Sequence, residues 1–172
     1  MILTNANIYT RDFRFAPESM IKIEGERIHR ILEGGQPLPQ CCQNGLPTED
    51  TYDLKGLMVI PGLVDVHFHG SMGHDLMEGT EEALDAIAKY QASVGVTAIC
   101  PATMTMGEED IIKACENVRD YPLKDDAADV VGINMEGPFV SHNKVGAQNP
   151  EYVHAPDAAF FRRCNEASGN KI

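Results

Sequence analysis

The sequence predicts an α/β protein in which helices cover a parallel sheet, with a small all-β segment ahead of it. Three observations lead there. Runs rich in isoleucine alternate apolar with polar residues over the first 33 positions. From residue 57 onward, short apolar runs alternate with helix-patterned segments. Histidine, threonine and glutamate stand at the ends of those apolar runs, where a soluble strand has no packing use for them.

The opening segments "MILTNANIYT" and "SMIKIEGERIHRIL" read as short strands, with Glu-Gly as a turn inside the second. Residues 34–50, "GGQPLPQCCQNGLPTED", mix Gly, Pro, Asn and Asp and read as an exposed loop. "TYDLKGLMV" is a further short strand that leads into "LMVIPGLVDVHFH", the first strand of the alternating region. "TEEALDAIAKYQASVG" then reads as a helix. Thr80 is its N-cap, acidic residues fill its first turn, Leu84, Ile87 and Ala88 form its apolar face, and Gly95 closes it. "VTAICPATM" is a second buried strand, and "GEEDIIKACENVRDY" a second helix stopped by Pro122. "DVVGINMEGPF" is a third strand, and "DAAFFRRCNEA" begins another helix after a long loop, residues 140–156. The order is βαβαβ(loop)α, and strands apolar on both faces imply either an open doubly wound sheet or a closed (β/α)8 barrel. No G-x-G-x-x-G follows the first strand, which weakens the nucleotide-binding version of the fold.

Charge and composition narrow the function classes. A formal charge of −12, with no basic cluster to offset it, repels nucleic acid and anionic membrane surfaces. No apolar run approaches the length of a membrane span, and the N-terminus lacks the basic and apolar regions of a secretory signal, so the expected location is the cytoplasm. The five cysteines, Cys41, Cys42, Cys100, Cys115 and Cys164, are odd in number and lack C-x-x-C spacing. They are expected to be reduced thiols, with Cys100 and Cys115 the buried ones.

The chemistry gathers at strand ends, where both candidate folds place their sites. His67 and His69 end the first strand, Thr103 the second and Glu136 the third. Positions i and i+2 share a face, so the two imidazoles project together while Phe68 packs the other way, and Gly70 permits a sharp turn beneath them. Two such imidazoles can share a cation at about 2.0 to 2.1 Å each. They equally suit two hydrogen-bonded histidines, but a glutamate ending a buried strand is costly to desolvate without a partner cation, and this favours metal. His74 and Asp75 are candidates to orient a ligand histidine or, for Asp75, to cap a loop. His142 is a loop residue, His29 and His154 read as surface, and Met72, Met77, Met104, Met106 and Met135 as core filling.

"PGLVDVHFHG" resembles the first-strand signature of the amidohydrolase superfamily, metal-dependent hydrolases. Together with it, "HGSMGHDLMEGT", "GVTAICPATMT", "GINMEGPFVS" and "KVGAQNPEYV" resemble N-acetylglucosamine-6-phosphate deacetylases over residues 1–160. The resemblance implies the N-terminal part of a (β/α)8 TIM-type barrel preceded by a β-sandwich segment that both ends of a longer chain build. It divides the chain into residues 1–56 for the sandwich segment and 57–172 for the first part of the barrel.

The resemblance also implies a divalent metal site, one or two ions, zinc or iron, with Glu136, His67 and His69 as ligands. It assigns Ala147 and Gln148 of "GAQ" to the substrate, a phosphorylated amino sugar. The reaction implied is hydrolysis of the acetamide of N-acetylglucosamine 6-phosphate to glucosamine 6-phosphate and acetate, in a homodimer when full-length. Two more histidine ligands, the aspartate acting as general acid/base and the phosphate-binding groups are expected beyond residue 172. No catalytic acid/base is therefore assigned within this chain, which alone is expected to be inactive. A dihydroorotase or deaminase would keep the two histidines without needing EGPF and GAQNP, and an inactive fragment would keep the ligands without turnover.

Overall fold

The computed structural model describes residues 1–36 and 50–172. Cys41 and Cys42, and most of the segment read as an exposed loop, lie outside the described residues. The chain divides into two units, Met1–Pro61 and Gly62–Ile172.

In the first unit, β1 (Ile2–Tyr9), β2 (Phe15–Glu24) and β3 (Arg27–Leu32) form an antiparallel meander. β4 (Thr51–Asp53) and β5 (Met58–Val59) both add to β1 in parallel, completing a five-stranded sheet. Alternation along β1 puts Ala6 and Ile8 on one face, where they pack with Ile21, Leu3, Ile23, Leu54 and Val59. The described residues of this unit form a single sheet. Part of the run read from the sequence as the first strand of the alternating region belongs here. "LMVIPGLVDVHFH" is interrupted at Pro61, which has no N–H to give to a ladder, and Met58–Val59 pairs with β1 instead. The division therefore falls five residues later than the 56/57 boundary read from the resemblance.

In the second unit, β6 (Leu63–Asp65), β7 (Val96–Ile99) and β8 (Asp129–Val130) are parallel, in the order β6-β7-β8. The connections are α1 (Glu81–Ser93) and α2 (Glu108–Asp120), and α3 (Ala158–Ala167) follows. Each helix begins where local chemistry says it should. Thr80 accepts from the Ala83 N–H at 3.3 Å, Asp157 accepts from the Ala159 and Phe160 N–H groups, and the first turn of α2 carries Glu108, Glu109 and Asp110. The buried residues of α2 are Ile111, Ala114, Cys115 and Val118, one apolar stripe at i, i+3, i+4 and i+7. They pack with Leu84 of α1 and with Phe160 and Cys164 of α3. Ile87 and Ala88 of α1 cover Ile99 of β7.

The second unit has three described strands, all parallel, and three strands cannot close, so the described residues form no complete (β/α)8 barrel, and none was expected of this chain alone. Other expectations are corrected. The first strand of this region is not buried: Leu63, Val64 and Val66 are 51%, 61% and 59% exposed, because β6 lies at the edge of a sheet that is left open on one side. Cys100 is only partly buried, whereas Cys164, facing the helix core, is buried together with Cys115. Met72 does not fill the core. It stands 66% exposed in a turn, at φ 55°, while Met77, Met106 and Met135 do pack against the helices.

Candidate metal centre

The histidine segment starts where β6 stops. Asp65, the last residue of the strand, accepts from the His67 N–H at 3.1 Å, and the Phe68 carbonyl accepts from the Ala102 N–H at 2.9 Å. The second bond continues the pairing with the β7 side past the formal strand end, and the first holds the backbone at His67 with the Asp65 side chain. His67 and His69 therefore project on one side while Phe68 turns to the apolar cluster around Ile87 and Ile99. Gly70 makes the next turn at φ 69°, and a Cβ there would lie 2.1 Å from the His74 carbonyl oxygen, so the backbone beneath the histidines admits only glycine.

Glu136 arrives from the other side of β7. After β8 the chain runs beside the continuation of β7, with the Ala102–Asn134 bridge and a Thr103 N–H to Asn134 carbonyl bond of 2.9 Å. The Asn134 side chain then reaches across and donates to the Val66 carbonyl at 2.9 Å, tying the two flanking strand ends together. β6 and β8 are separated by β7, so their backbones stand about 10 Å apart. Long side chains reaching inward from both sides can close such a gap. They do: Glu136 Oε2 lies 2.6 Å from His69 Nε2 and 3.4 Å from His67 Nε2, and all three donor atoms fall within 4.8 Å of one another.

The donor set fits a divalent cation. Four-coordinate zinc with ligands at about 2.0 to 2.1 Å separates them by about 3.3 Å; the His67–Glu136 pair stands at 3.4 Å, while the His69–Glu136 pair is closer, at 2.6 Å. Glu136 Oε2 is buried and among the described residues has no partner of proper hydrogen-bond geometry, even though His69 Nε2 stands so near; the approach is off the hydrogen-bond line. A buried carboxylate oxygen facing two imidazole nitrogens without a hydrogen bond is a costly arrangement that a cation relieves. Burial and then the Asp65 carboxylate raise the pKa of Cys100, just past the end of β7, and among the described residues it is not one of the clustered donors.

The remaining residues singled out from the sequence divide clearly. Gln148, in the loop before the short 3-10 turn Pro150–Tyr152, is buried and donates from Nε2 to Glu136 Oε1 at 3.1 Å. Ala147 beside it is exposed. Asp75 caps the 3-10 turn Leu76–Glu78 in a capping box, and His74 Nδ1 lies 3.2 Å from Glu78 Oε2, so both serve that turn and neither joins the cluster. His142, His29 and His154 are exposed. Thr103 is fully buried, and its hydroxyl has no hydrogen-bond partner among the described residues. Two contributors escaped the sequence reading: Asn134, which links the strand ends, and Thr105, whose backbone N–H holds Gln148 at 2.7 Å. Thr105 lies two positions after Thr103, so strand alternation was the one signal available for it.

No protein-family model matches the chain. Two curated N-acetylglucosamine-6-phosphate deacetylases are similar to it. One, from Bacillus subtilis (strain 168), is 30% identical over 119 residues, which cover 67% of this chain and 30% of the relative. The other, from Lysinibacillus sphaericus, is 33% identical over 126 residues, which cover 72% of this chain and 32% of the relative. The chain thus spans about a third of the length of the curated relatives it matches. Among solved structures, an N-acetyl-D-glucosamine-6-phosphate deacetylase mutant from Mycobacterium smegmatis, in complex with N-acetyl-D-glucosamine-6-phosphate, superposes with a TM-score of 0.80 at 24% identity. That match covers 100% of this chain and 42% of the other, and at this identity it speaks for the fold. Over most of its length, this chain matches an N-terminal portion of the N-acetylglucosamine-6-phosphate deacetylases.

Proposed function

We propose that this chain supplies a divalent-metal centre, through His67, His69 and Glu136, to an enzyme that deacetylates N-acetylglucosamine 6-phosphate. The observation that carries the reading is the meeting of two imidazole nitrogens and a buried, otherwise unpartnered carboxylate oxygen at one end of a parallel sheet. That end is where α/β enzymes place their chemistry. The relatives' shared activity supplies the substrate. The parallel strands are read as the first of a (β/α)8 barrel, and the five-stranded sheet as one part of a β-sandwich.

When bound, a zinc or iron ion lowers the pKa of water towards about 7 and polarises an amide carbonyl. The chain's own residues fix where that happens. His67 and His69 are held in line by the Asp65 and Ala102 hydrogen bonds, and Glu136 is held by the segment that Asn134 ties to Val66. The loop bearing Ala147 and Gln148 comes to the same end, through the Gln148 contacts with Thr105 and Glu136. We assign the general acid/base aspartate, two further histidine ligands and the phosphate-binding groups to sequence outside these 172 residues, and the working form to a cytoplasmic homodimer.

The test is product analysis. The complete metal-loaded enzyme is expected to release acetate from N-acetylglucosamine 6-phosphate, and Glu136→Gln to remove most of that activity; residues 1–172 alone should release none. Ammonia release from a deaminase substrate, or hydrolysis of dihydroorotate, in place of acetate release would overturn the assignment.

A further inference from the structure

We propose that Gln148 is a positioning residue that makes Glu136 present one oxygen, Oε2, to the metal; this rests on the metal reading given above. The sequence resemblance assigns Gln148 to substrate contact, but its amide is already committed. Gln148 is 8% exposed, its Oε1 accepts from the Thr105 backbone N–H at 2.7 Å, and its Nε2 donates to Glu136 Oε1 at 3.1 Å. A backbone N–H can only donate, so the Thr105 hydrogen bond fixes which end of the amide is oxygen. The NH2 end must then face Glu136. Its second hydrogen has Met104 Sδ at 3.9 Å, a weak acceptor, as its neighbour.

Two consequences follow for the carboxylate. Oε1 is engaged by a hydrogen bond from a buried donor, which disfavours its turning to grip a cation with both oxygens. Oε2 is left facing His67 Nε2 and His69 Nε2, with no hydrogen bond of its own. Because the amide is anchored to backbone, the orientation survives side-chain motion in the exposed loop on either side. Partners of this kind, lying behind a metal ligand, typically contribute about 10- to 100-fold in metal affinity.

Substitutions at 148 separate hydrogen bonding from packing. Gln148→Met keeps the volume and removes both hydrogen bonds. Gln148→Glu keeps the acceptor for Thr105 but sets a second carboxylate against Glu136. Gln148→His offers a ring nitrogen to Thr105 and a ring N–H to Glu136. The full chain is titrated with zinc against a chromophoric chelator, folding is followed by circular dichroism, and zinc-edge absorption reports the number and distance of oxygen ligands.

Gln148→Met is expected to bind zinc about 10- to 100-fold more weakly and to show added or lengthened carboxylate–zinc contacts. Gln148→Glu should bind more weakly still, and Gln148→His should recover most of the affinity. If the wild-type chain binds zinc and Glu136→Gln weakens it, yet Gln148→Met matches wild type in affinity and coordination, the positioning role is refuted while the metal site stands. If wild type and Glu136→Gln bind zinc equally, the metal reading itself falls. Should Gln148→Met fail to fold, the His and Glu variants decide, and equal affinity of those two refutes the proposal.

Discussion

Replacing Gly137 by alanine should damage both the stability of the second unit and its metal affinity. The residue follows Glu136 directly, and a Cβ built on it would lie 2.1 Å from Thr105 Oγ1, 3.0 Å from Thr105 Cβ and 2.9 Å from Thr105 Cα. Rotating the threonine side chain relieves only the first of these clashes. The last is with a backbone atom, so Thr105 or Glu136 must move by several tenths of an ångström. Overpacking of this kind costs about 1 to 3 kcal/mol. The displacement falls on the Thr105 N–H that anchors Gln148 and on the segment that carries Glu136, so zinc binding should weaken along with stability. Urea denaturation gives the first quantity and chelator competition the second. Adding Thr105→Gly removes the two side-chain clashes and leaves the one with the backbone, so the double variant should recover part of the stability. The reasoning is refuted if Gly137→Ala unfolds within about 0.5 kcal/mol of wild type, the range of inert surface changes, and binds zinc unchanged.

Two further outcomes test the packing around the site. The Lys124 and then Lys89 ammonium groups, with the Tyr121 hydroxyl, hold the Asp85 carboxyl down to about 2 from its ordinary 3.8. A lowered carboxyl pKa stabilises the fold above the unfolded value and ceases to as pH falls through the folded one. Linkage puts an upper bound of about 2 kcal/mol on this, reduced to about 1 by solvent at these partly exposed pairs. Urea midpoints should therefore drop between about pH 4 and about 2 in wild type, and less so in Asp85→Asn; identical pH profiles would discount the pairing. Burial pushes the Cys115 thiol up to about 12 and the Cys164 thiol up to about 11, so neither is a thiolate at neutral pH. Iodoacetamide at about pH 8, just below the ordinary thiol pKa, should leave both unmodified in the native chain and label both in urea. Rapid native labelling of Cys115, read by mass spectrometry, would contradict its place in the helix core.

Legibility followed how local each signal is. Thr80 marks the start of α1 because an N-cap needs only its own next residues, and the stripe of α1 at Leu84, Ile87 and Ala88 follows from helix geometry alone. Strand extents depend on pairing partners far away in sequence, so Pro61 split what reads as one apolar run, and the exposure of Leu63 and Val64 depends on which strands stand beside them. That His67 and His69 project together was readable from alternation around Phe68, and their meeting with Glu136 from its place at another strand end, although Glu136 is only partly buried. The task of Gln148 was not readable. Its amide can pair with sugar, backbone or carboxylate, and the Thr105 N–H that accompanies it in the fold lies 43 residues away in sequence. Met72 misled for a related reason, since an apolar residue in a turn looks no different in sequence from one in a core.

The most direct test is the metal content of the full 172-residue chain. After dialysis against zinc and removal of free ion, elemental analysis of wild type, His67→Ala, His69→Ala and Glu136→Gln reads the site residue by residue. Retention of zinc by wild type, with clear loss in each of the three variants, is the expected result. Equal metal content in wild type and all three variants would contradict a centre built from His67, His69 and Glu136.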